Sequence, residues 1–347
     1  MAPPPTNLVR ALVEQAVRAP SSHNTQPWLF RRVGEAIELR ADHSRALPVN
    51  DPDGRELFIS CGAALLNLRI AARHHGLGVR TELLPDPAEE NLCARVILSE
   101  HPDRNSNTSN TSNTSNTSNS DDSDDSDDSD SDGEDARLYA AIARRRTCRK
   151  PFADRAVPED VLRRMRRAAE REGAWLSVIA PERREEVAAV VEESDRVQFA
   201  DRAWRRELAF WMRPRRRGDG LTVPALAAPA LRTVVRSLDL GNRVGTRDAA
   251  LVRTAPLAAV LASGKDERAD WLATGQALQR VLLVLASDGI LAGYANQPCQ
   301  LGNPLRARLH DAVADLRGRP QLLIRAGYPR GTVPTTPRRP VADVLQG

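Results

Sequence analysis

Ala19-Pro20-Ser21-Ser22-His23-Asn24-Thr25-Gln26-Pro27-Trp28 is the stretch on which the reading of this 347-residue chain turns. Ahead of it, Leu8, Val9, Leu12, Val13, Ala16 and Val17 recur at helical spacing, which predicts a short amphipathic helix. Pro20 marks its end. Pro27 biases Gln26 towards an extended conformation, so that Gln26-Pro27-Trp28 is expected to run straight into a strand over residues 28–33. Between the two prolines lie hydroxyls, an imidazole and two amides, with little to bury. A loop so dense in small hydrogen-bonding groups, braced by a helix and a strand, suits the polar edge of a planar ligand. It equally suits a helix-to-strand turn whose Ser and Asn satisfy backbone groups.

Working outward, Gly34-Glu35 reads as a turn into a second strand over residues 36–41. Asp53-Gly54-Arg55-Glu56 has the form of a capping box, with Asp53 at the cap. It would open a helix to about residue 75 that is apolar on more than one face and therefore central and buried. Gly76 and Gly78 stop it, and residues 79–84 and 94–98 read as strands. Further on, helices are expected over 136–146 and from Pro158 to residue 171, a strand over 174–179, and another helix from Pro181. Residues 199–245, rich in Trp and Arg, read as helical, broken at Pro214 and Gly218-Asp219-Gly220. A buried strand over 258–261, a second long helix over 269–288 ending at Gly289, a strand over 321–325 and a Pro- and Arg-rich tail complete the pattern. The order long helix, glycine, strands thus occurs twice, which reads as a diverged internal duplication.

Composition bounds the function. Lys+Arg number 50 and Asp+Glu 46. The balance depends on one tract, because residues 102–135 carry 11 acids and a single base, Arg104, and without them 49 bases face 35 acids, a formal +14. Such a surface attracts phosphorylated ligands. Nucleic acid is not expected, because Lys150 and Lys265 are the two lysines and aromatic residues make up 4% of the chain, too few for a stacking platform. Residues 105–132 are Asn-Thr-Ser and then Asp-Asp-Ser triplets with nothing apolar to offset ordering entropy, so a disordered linker is expected over 101–135. Cys61, Cys93, Cys148 and Cys299 show neither metal spacing nor Cys-x-x-Cys and read as reduced thiols, and no metal is expected. With no signal-peptide segment and a longest apolar run of 281–286, no membrane span is expected and the location is expected to be cytoplasmic. No Gly-x-Gly-x-x-Gly follows a strand, and no Gly-x-Ser-x-Gly elbow is present.

The opening loop resembles the Pro-Ser-x-x-Asn-x-Gln-Pro-Trp signature of the FMN-dependent nitroreductase superfamily. With Asp42-x-x-Arg45, Asp51-Pro52-x-Gly54-Arg55-Glu56 and Ser60-Cys61-Gly62-Ala63-Ala64 it resembles more narrowly the Acg-type branch, and the likeness covers most of the chain outside 101–135. It implies an α+β nitroreductase-like fold whose tandem duplication makes the chain its own pseudo-dimer. Residues 1–100 would be one half and 136–347 the other, with 199–245 a lid over the flavin. The activity implied is reduction of a small planar acceptor, a nitroaromatic or a quinone, by NAD(P)H as transient donor. The alternative is a non-catalytic, flavin-sequestering role. The partners expected are small molecules, and the chain would be a monomer or a weak homo-oligomer.

FMN requires cations and hydroxyls for its phosphate, and donors and acceptors along its ring edge. Arg145, Arg146, Thr147 and Arg149 resemble the Arg-Arg-Ser-x-Arg motif of the superfamily, with Thr in place of Ser. Arg338 stands where relatives carry a carboxy-terminal phosphate-binding Arg, and Asn296-Gln297-Pro298 resembles the loop along the flavin ring. Ser21, Ser22, Asn24 and Gln26 complete the expected cofactor set. His23 is either a proton donor beside the ring or a plain hydrogen-bonding residue, and no catalytic residue is assigned. The first half has the Ser-Asn-Gln loop without the Arg motif, and the second half has the reverse, which implies one shared FMN per chain.

Deleting residues 105–132 is expected to leave the thermal midpoint and flavin content nearly unchanged, because loop-closure entropy grows only slowly with length. Differential scanning calorimetry of the deleted chain checks this, and loss of folded protein would contradict it.

Overall fold

The computed structural model describes residues 4–100, 127–302 and 304–346. Helix α1 (Thr6–Ala16) buries Val9, Leu12, Val13 and Ala16, the stripe read from the spacing. Strands β1 (Trp28–Val33) and β2 (Ala36–Ala41), helix α2 (Arg55–His74), and strands β3 (Gly78–Leu83) and β4 (Leu92–Ser99) follow. The disordered tract expected over 101–135 lies outside the described residues as far as 126. From there the chain is helical, in α3 (Asp127–Ile142), which begins inside the expected linker and ends before the expected residue 146. Helix α4 (Glu159–Glu170) and strand β5 (Trp175–Val178) precede helices α5 (Arg184–Ala200) and α6 (Arg202–Trp211) and short strands β6 (Met212–Pro214) and β7 (Leu221–Val223). Then come helices α7 (Ala228–Ser237) and α8 (Gly241–Arg253), strand β8 (Leu257–Ser263), helix α9 (Arg268–Ser287) and strand β9 (Leu291–Tyr294). Helices α10 (Gln297–Gln300) and α11 (Leu305–Ala312) and strands β10 (Arg319–Gly327) and β11 (Leu345–Gln346) end the chain.

The duplication is written in the strand order. One sheet runs β1-β2-β4-β3 and the other β5-β8-β10-β9, with every neighbour in these two runs antiparallel. In each half two strands precede a long buried helix, two follow it, and the two that follow are reversed in the sheet. The halves differ at one connection. Strands β1 and β2 are joined by the two-residue turn Gly34-Glu35, with Gly34 at φ +59°, a backbone region that glycine enters without cost. At the same place in the second half, α5, α6, α7 and α8 are inserted between β5 and β8. The tail then crosses back, and β11 pairs in parallel with the outer edge of β1, Phe30 opposite Leu345. A two-residue strand after a Pro-rich run carries no readable periodicity, so the sequence did not announce it.

Helices α2 and α9 pack along each other between the sheets. Ile59, Leu66 and Ile70 join the apolar cluster of the second half, and Leu272 joins that of the first. Their approach is set by two glycines. A Cβ on Gly62 would stand 2.1 Å from the Leu272 carbonyl oxygen, and one on Gly275 would stand 2.0 Å from that of Ile59. The start of α2 differs from the expected capping box. Asp53 is exposed, Gly54 occupies the cap position at φ +73°, and the buried Asp51 accepts from the Glu56 and Leu57 amides at 3.0 and 2.9 Å. Glu56 is thereby free to turn inward. Among the described residues no helix is long and apolar enough to cross a membrane.

Gly62→Ala is expected to force the two helices apart and destabilise the protein by about 1–3 kcal/mol or more. Gly331→Ala, where nothing lies within 4 Å, is expected to leave the midpoint unchanged. Urea unfolding of both variants checks the contrast.

Candidate functional site

A cavity of about 360 Å³ lies where the two halves, the insertion and the tail meet. Its walls come from residues 20–24, the start of α2, the 145–149 segment, α5, α6 and α8, the 294–300 segment, β10 and the tail. The loop after α1 is held in an unusual backbone state. His23, Asn24 and Gln26 have φ of +48°, +54° and +55°. Gln26 is therefore not extended as Pro27 led one to expect. Its amide donates to Ser21 Oγ at 3.0 Å, and its fully buried side chain donates to the Gly218 carbonyl at 2.8 Å and accepts from the Arg339 amide at 2.8 Å. These bonds overrule the local preference. Positive φ at three non-glycine residues costs roughly 1–3 kcal/mol each, strain that persists where the surroundings over-determine it.

One end of the cavity is cationic. Arg145, buried at 6% exposure, donates from Nη2 to the Arg18 carbonyl at 3.2 Å, while its Nε and Nη1 are buried without a partner. Arg338 donates to Asn24 Oδ1 at 3.2 Å and to the Arg18 and Ala19 carbonyls at 3.1 and 3.0 Å, and its Nε has no partner. Burial and the neighbouring Arg145, Arg146 and Arg18 push the Arg338 guanidinium down to about 9. Burial lowers Arg145 as well. Among the described residues neither guanidinium has a carboxylate within ion-pair distance. Tyr294, whose hydroxyl is buried without a partner, lines the same cavity, as do Thr147 and the more exposed Arg149. Unspent donors and crowded cations are the chemistry of an anion site.

The centre is organised by Glu56. Its carboxylate, 3% exposed, accepts from Ser22 Oγ at 2.5 Å, Asn50 Nδ2 at 3.3 Å, Gln300 Nε2 at 3.0 Å and Asn296 Nδ2. Arg55 stands 3.5 Å away. One side chain thus joins the loop after α1, the start of α2 and the 296–300 segment of the other half. Asn50 extends the network to the insertion, accepting from Trp204 Nε1 at 2.9 Å while its amide donates to Glu207 at 2.8 Å. Asp219 of the insertion pairs with Arg45 and, at 2.7 Å, with Arg213. Asp42 pairs with Arg339 of the tail at 3.4 Å.

The far wall is built by the insertion: Phe199, Trp204, Leu208, Leu221, Val244 and Leu251. Phe199 and Trp204 meet edge to face at 4.9 Å. Beside them Asp195 and Asp248 share the amide of Gln297, at 3.1 and 3.3 Å from the two Asp195 oxygens and 3.1 Å from Asp248 Oδ2.

Of the residues singled out from sequence, Ser21, Ser22, Asn24, Arg145, Thr147, Arg149, Asn296, Gln297 and Arg338 line the cavity together. Gln26, Arg146 and Pro298 do not. Gln26 is a buried tie between the loop, Gly218 and the tail. Arg146 folds back onto the Ala143 and Arg145 carbonyls at 2.7 Å. Pro298 lies buried in the first turn of α10. Sequence reasoning did not single out Tyr294, Asp195 or Asp248 for the site, placed Phe199 and Trp204 within the expected 199–245 lid without naming them singly, and took Glu56 for a helix cap. The inward turn of Glu56 had one readable signal, its place in the Asp51–Glu56 run. Asp195 and Asp248 had none, because an insertion has no counterpart in the repeat, whereas Phe199 and Trp204 belong to the stretch whose Trp and Arg content suggested a lid.

His23 also faces the cavity, and burial, reinforced by Arg149 and opposed by Glu56, lowers its pKa to about 4 from an ordinary 6.5. Between those values the unfolded chain takes up a proton that the folded chain refuses, so stability falls as pH drops through that window. His23→Asn, whose side chain tolerates positive φ, is expected to flatten this part of the pH dependence. Urea midpoints across the same pH range test it.

No protein-family model matches the chain. It is 30% identical to "Uncharacterized protein Rv3127" of Mycobacterium tuberculosis, over 98% of this chain and 93% of that protein. It is 28% identical to "Putative NAD(P)H nitroreductase acg" of the same organism, over 98% and 96%. Among solved structures, the FMN and NADPH-dependent nitroreductase NfnB from Sphigopyxis sp. strain HMH shares 21% identity over 60% of this chain and 98% of that chain, with a TM-score of 0.42. Near-complete coverage in both directions by these mycobacterial relatives places the chain in their family: it belongs to the Acg-type branch of the nitroreductase superfamily.

Proposed function

We propose that the protein is an FMN-dependent NAD(P)H oxidoreductase that reduces a small planar acceptor, a nitroaromatic or a quinone, with one FMN held between its halves. The observation that carries this reading is the set of unpartnered buried donors on Arg145, Arg338 and Tyr294, opposite a hydrogen-bonding loop of the other half. The residues present fit the cofactor. Arg145, Arg149, Arg338 and Thr147 would take the phosphate, whose double charge relieves the crowding of the guanidiniums. Ser21, Ser22 and Asn24 from the first half, and Asn296 and Gln297 from the second, offer donors and acceptors for a ring edge. FMN, when bound, supplies hydride acceptance and delivery at N5. His23, neutral at physiological pH, presents an uncharged imidazole to the site. Phe199 and Trp204 restrict water and select flat, apolar acceptors.

A second reading is favoured by the same wall. The insertion reaches over the cavity and is tied down through Trp204, Glu207 and Asp219. Held there, it would keep a nicotinamide from stacking and make the protein a flavin-sequestering one. Anaerobic mixing with NADPH or NADH, followed through the oxidised flavin absorbance, decides between them. Bleaching is expected, and persistent oxidised flavin favours sequestration.

Stoichiometry tests the shared site itself. Arg145→Ala and Asn24→Ala are each expected to lower flavin content, because a lost charge-assisted hydrogen bond costs roughly 1.5–3 kcal/mol, about one to two decades in affinity. Two flavins per chain, or full retention by both variants, would contradict it. The readout is flavin released per chain on denaturation.

A further inference from the structure

Asp195 is 2% exposed and lines the cavity, yet among the described residues it makes no ion pair. Its hydrogen-bond donor is the side-chain amide of Gln297, which Asp248 also uses. The charged groups around the pair are committed elsewhere. On its own helix, Glu192 accepts from Thr246 Oγ1 at 3.0 Å and Arg196 is exposed. On α8, Arg247 is exposed and donates to the Arg149 carbonyl at 3.2 Å. On β10, Arg325 donates to the Cys148 and Lys150 carbonyls at 3.0 Å. On α10, Gln297 is neutral. One amide does not compensate two carboxylates in a cavity wall, so the pair must keep a proton.

We propose that Asp195, coupled to Asp248 across Gln297, is the proton donor to the acceptor reduced in this cavity, and that the site is built for acceptors such as quinones, whose oxygen takes up a proton when the molecule takes up a hydride. The inference rests on the oxidoreductase reading above. The Asp195 O–H bond breaks as an O–H bond to the acceptor oxygen forms. The accompanying hydride comes from the reduced cofactor, recharged by a nicotinamide, and the Asp195 carboxylate regains its proton from solvent by way of the half-buried Asp248. Position supports the role, because Phe199 lies one turn beyond Asp195 on α5 and both line the cavity together with Trp204 and Gln297. So does acidity. Burial first, then Asp248, push Asp195 up to about 7, and burial raises Asp248 as well, opposed by Arg247 and Arg325. An acid that titrates near working pH both gives up its proton and recovers it.

Asp195→Asn keeps the shape and removes the proton. Flavin-loaded wild type and variant, photoreduced without oxygen so that no nicotinamide step intervenes, are mixed with benzoquinone or with ferricyanide, which takes electrons alone. In the variant the benzoquinone rate is expected to fall roughly 100-fold or more, while the ferricyanide rate stays at the wild-type level. The wild-type benzoquinone rate should decline as pH rises through about 7, and the variant's should be flat. In cofactor-free protein, infrared spectra below that pH should show a protonated-carboxyl stretch that the variant lacks. Equal slowing with both acceptors, an unaltered benzoquinone rate, or a missing wild-type carboxyl band would overturn the inference alone. A wild type that holds no FMN would overturn the cofactor reading and this inference with it.

Discussion

Everything in the molecule follows from how closely α2 and α9 cross. Each is 20 residues long and buried on nearly every side, so neither half can close its core without the other. Backbone meets backbone at Gly62 and Gly275, where a single added carbon would collide with a carbonyl oxygen of the opposite helix. Such contact admits one rotation and one register. That fixed crossing brings the start of α2, with Glu56, against the segment after β9, with Asn296 and Gln300, and so creates the cavity floor.

The crossing also explains how charge is distributed. Glu56 is satisfied by neutral donors from three segments and can remain buried because each hydrogen bond to a charged group contributes roughly 1.5–3 kcal/mol. The arginines at the other end are not satisfied in this way, and Arg145 and Arg338 keep buried N–H groups without acceptors. One end of the cavity therefore has its hydrogen bonds met within the fold, and the other keeps buried donors unmet.

The two halves are equal in topology and unequal in use. At the connection where the first half has Gly34-Glu35, the second has four helices, three of which, α5, α6 and α8, wall the cavity. Because the insertion hangs between two adjacent antiparallel strands, β5 and β8, it extends from a rigid base without disturbing the sheet. Helices α5 and α8 pack on β8 and β10 of their own half, while polar ties run to residues 45–50 of the first half and to the loop at Asn24 and Gln26, so the insertion spans the junction.

The sequence by itself determined the local elements and the repeat. Alternation and turn residues place β1 and β2 to the residue, the all-round apolar helices are the two that cross, and nine of twelve proposed site residues line one cavity. Those features are short-range or carried by a motif. The tertiary structure decided what depends on partners distant in the chain. Gln26 takes positive φ because Gly218 and Arg339 bind its side chain. Asp51, not Asp53, takes the first amides of α2, because its buried carboxylate faces the Glu56 and Leu57 N–H groups at 3.0 and 2.9 Å. Asp195 and Asp248, 53 positions apart in sequence, face one amide because α5 and α8 pack tightly at Gly245, where a Cβ would stand 2.7 Å from the Glu192 carbonyl oxygen. No periodicity records such a meeting, since an acid in a helix reads as a solvated face until another element covers it.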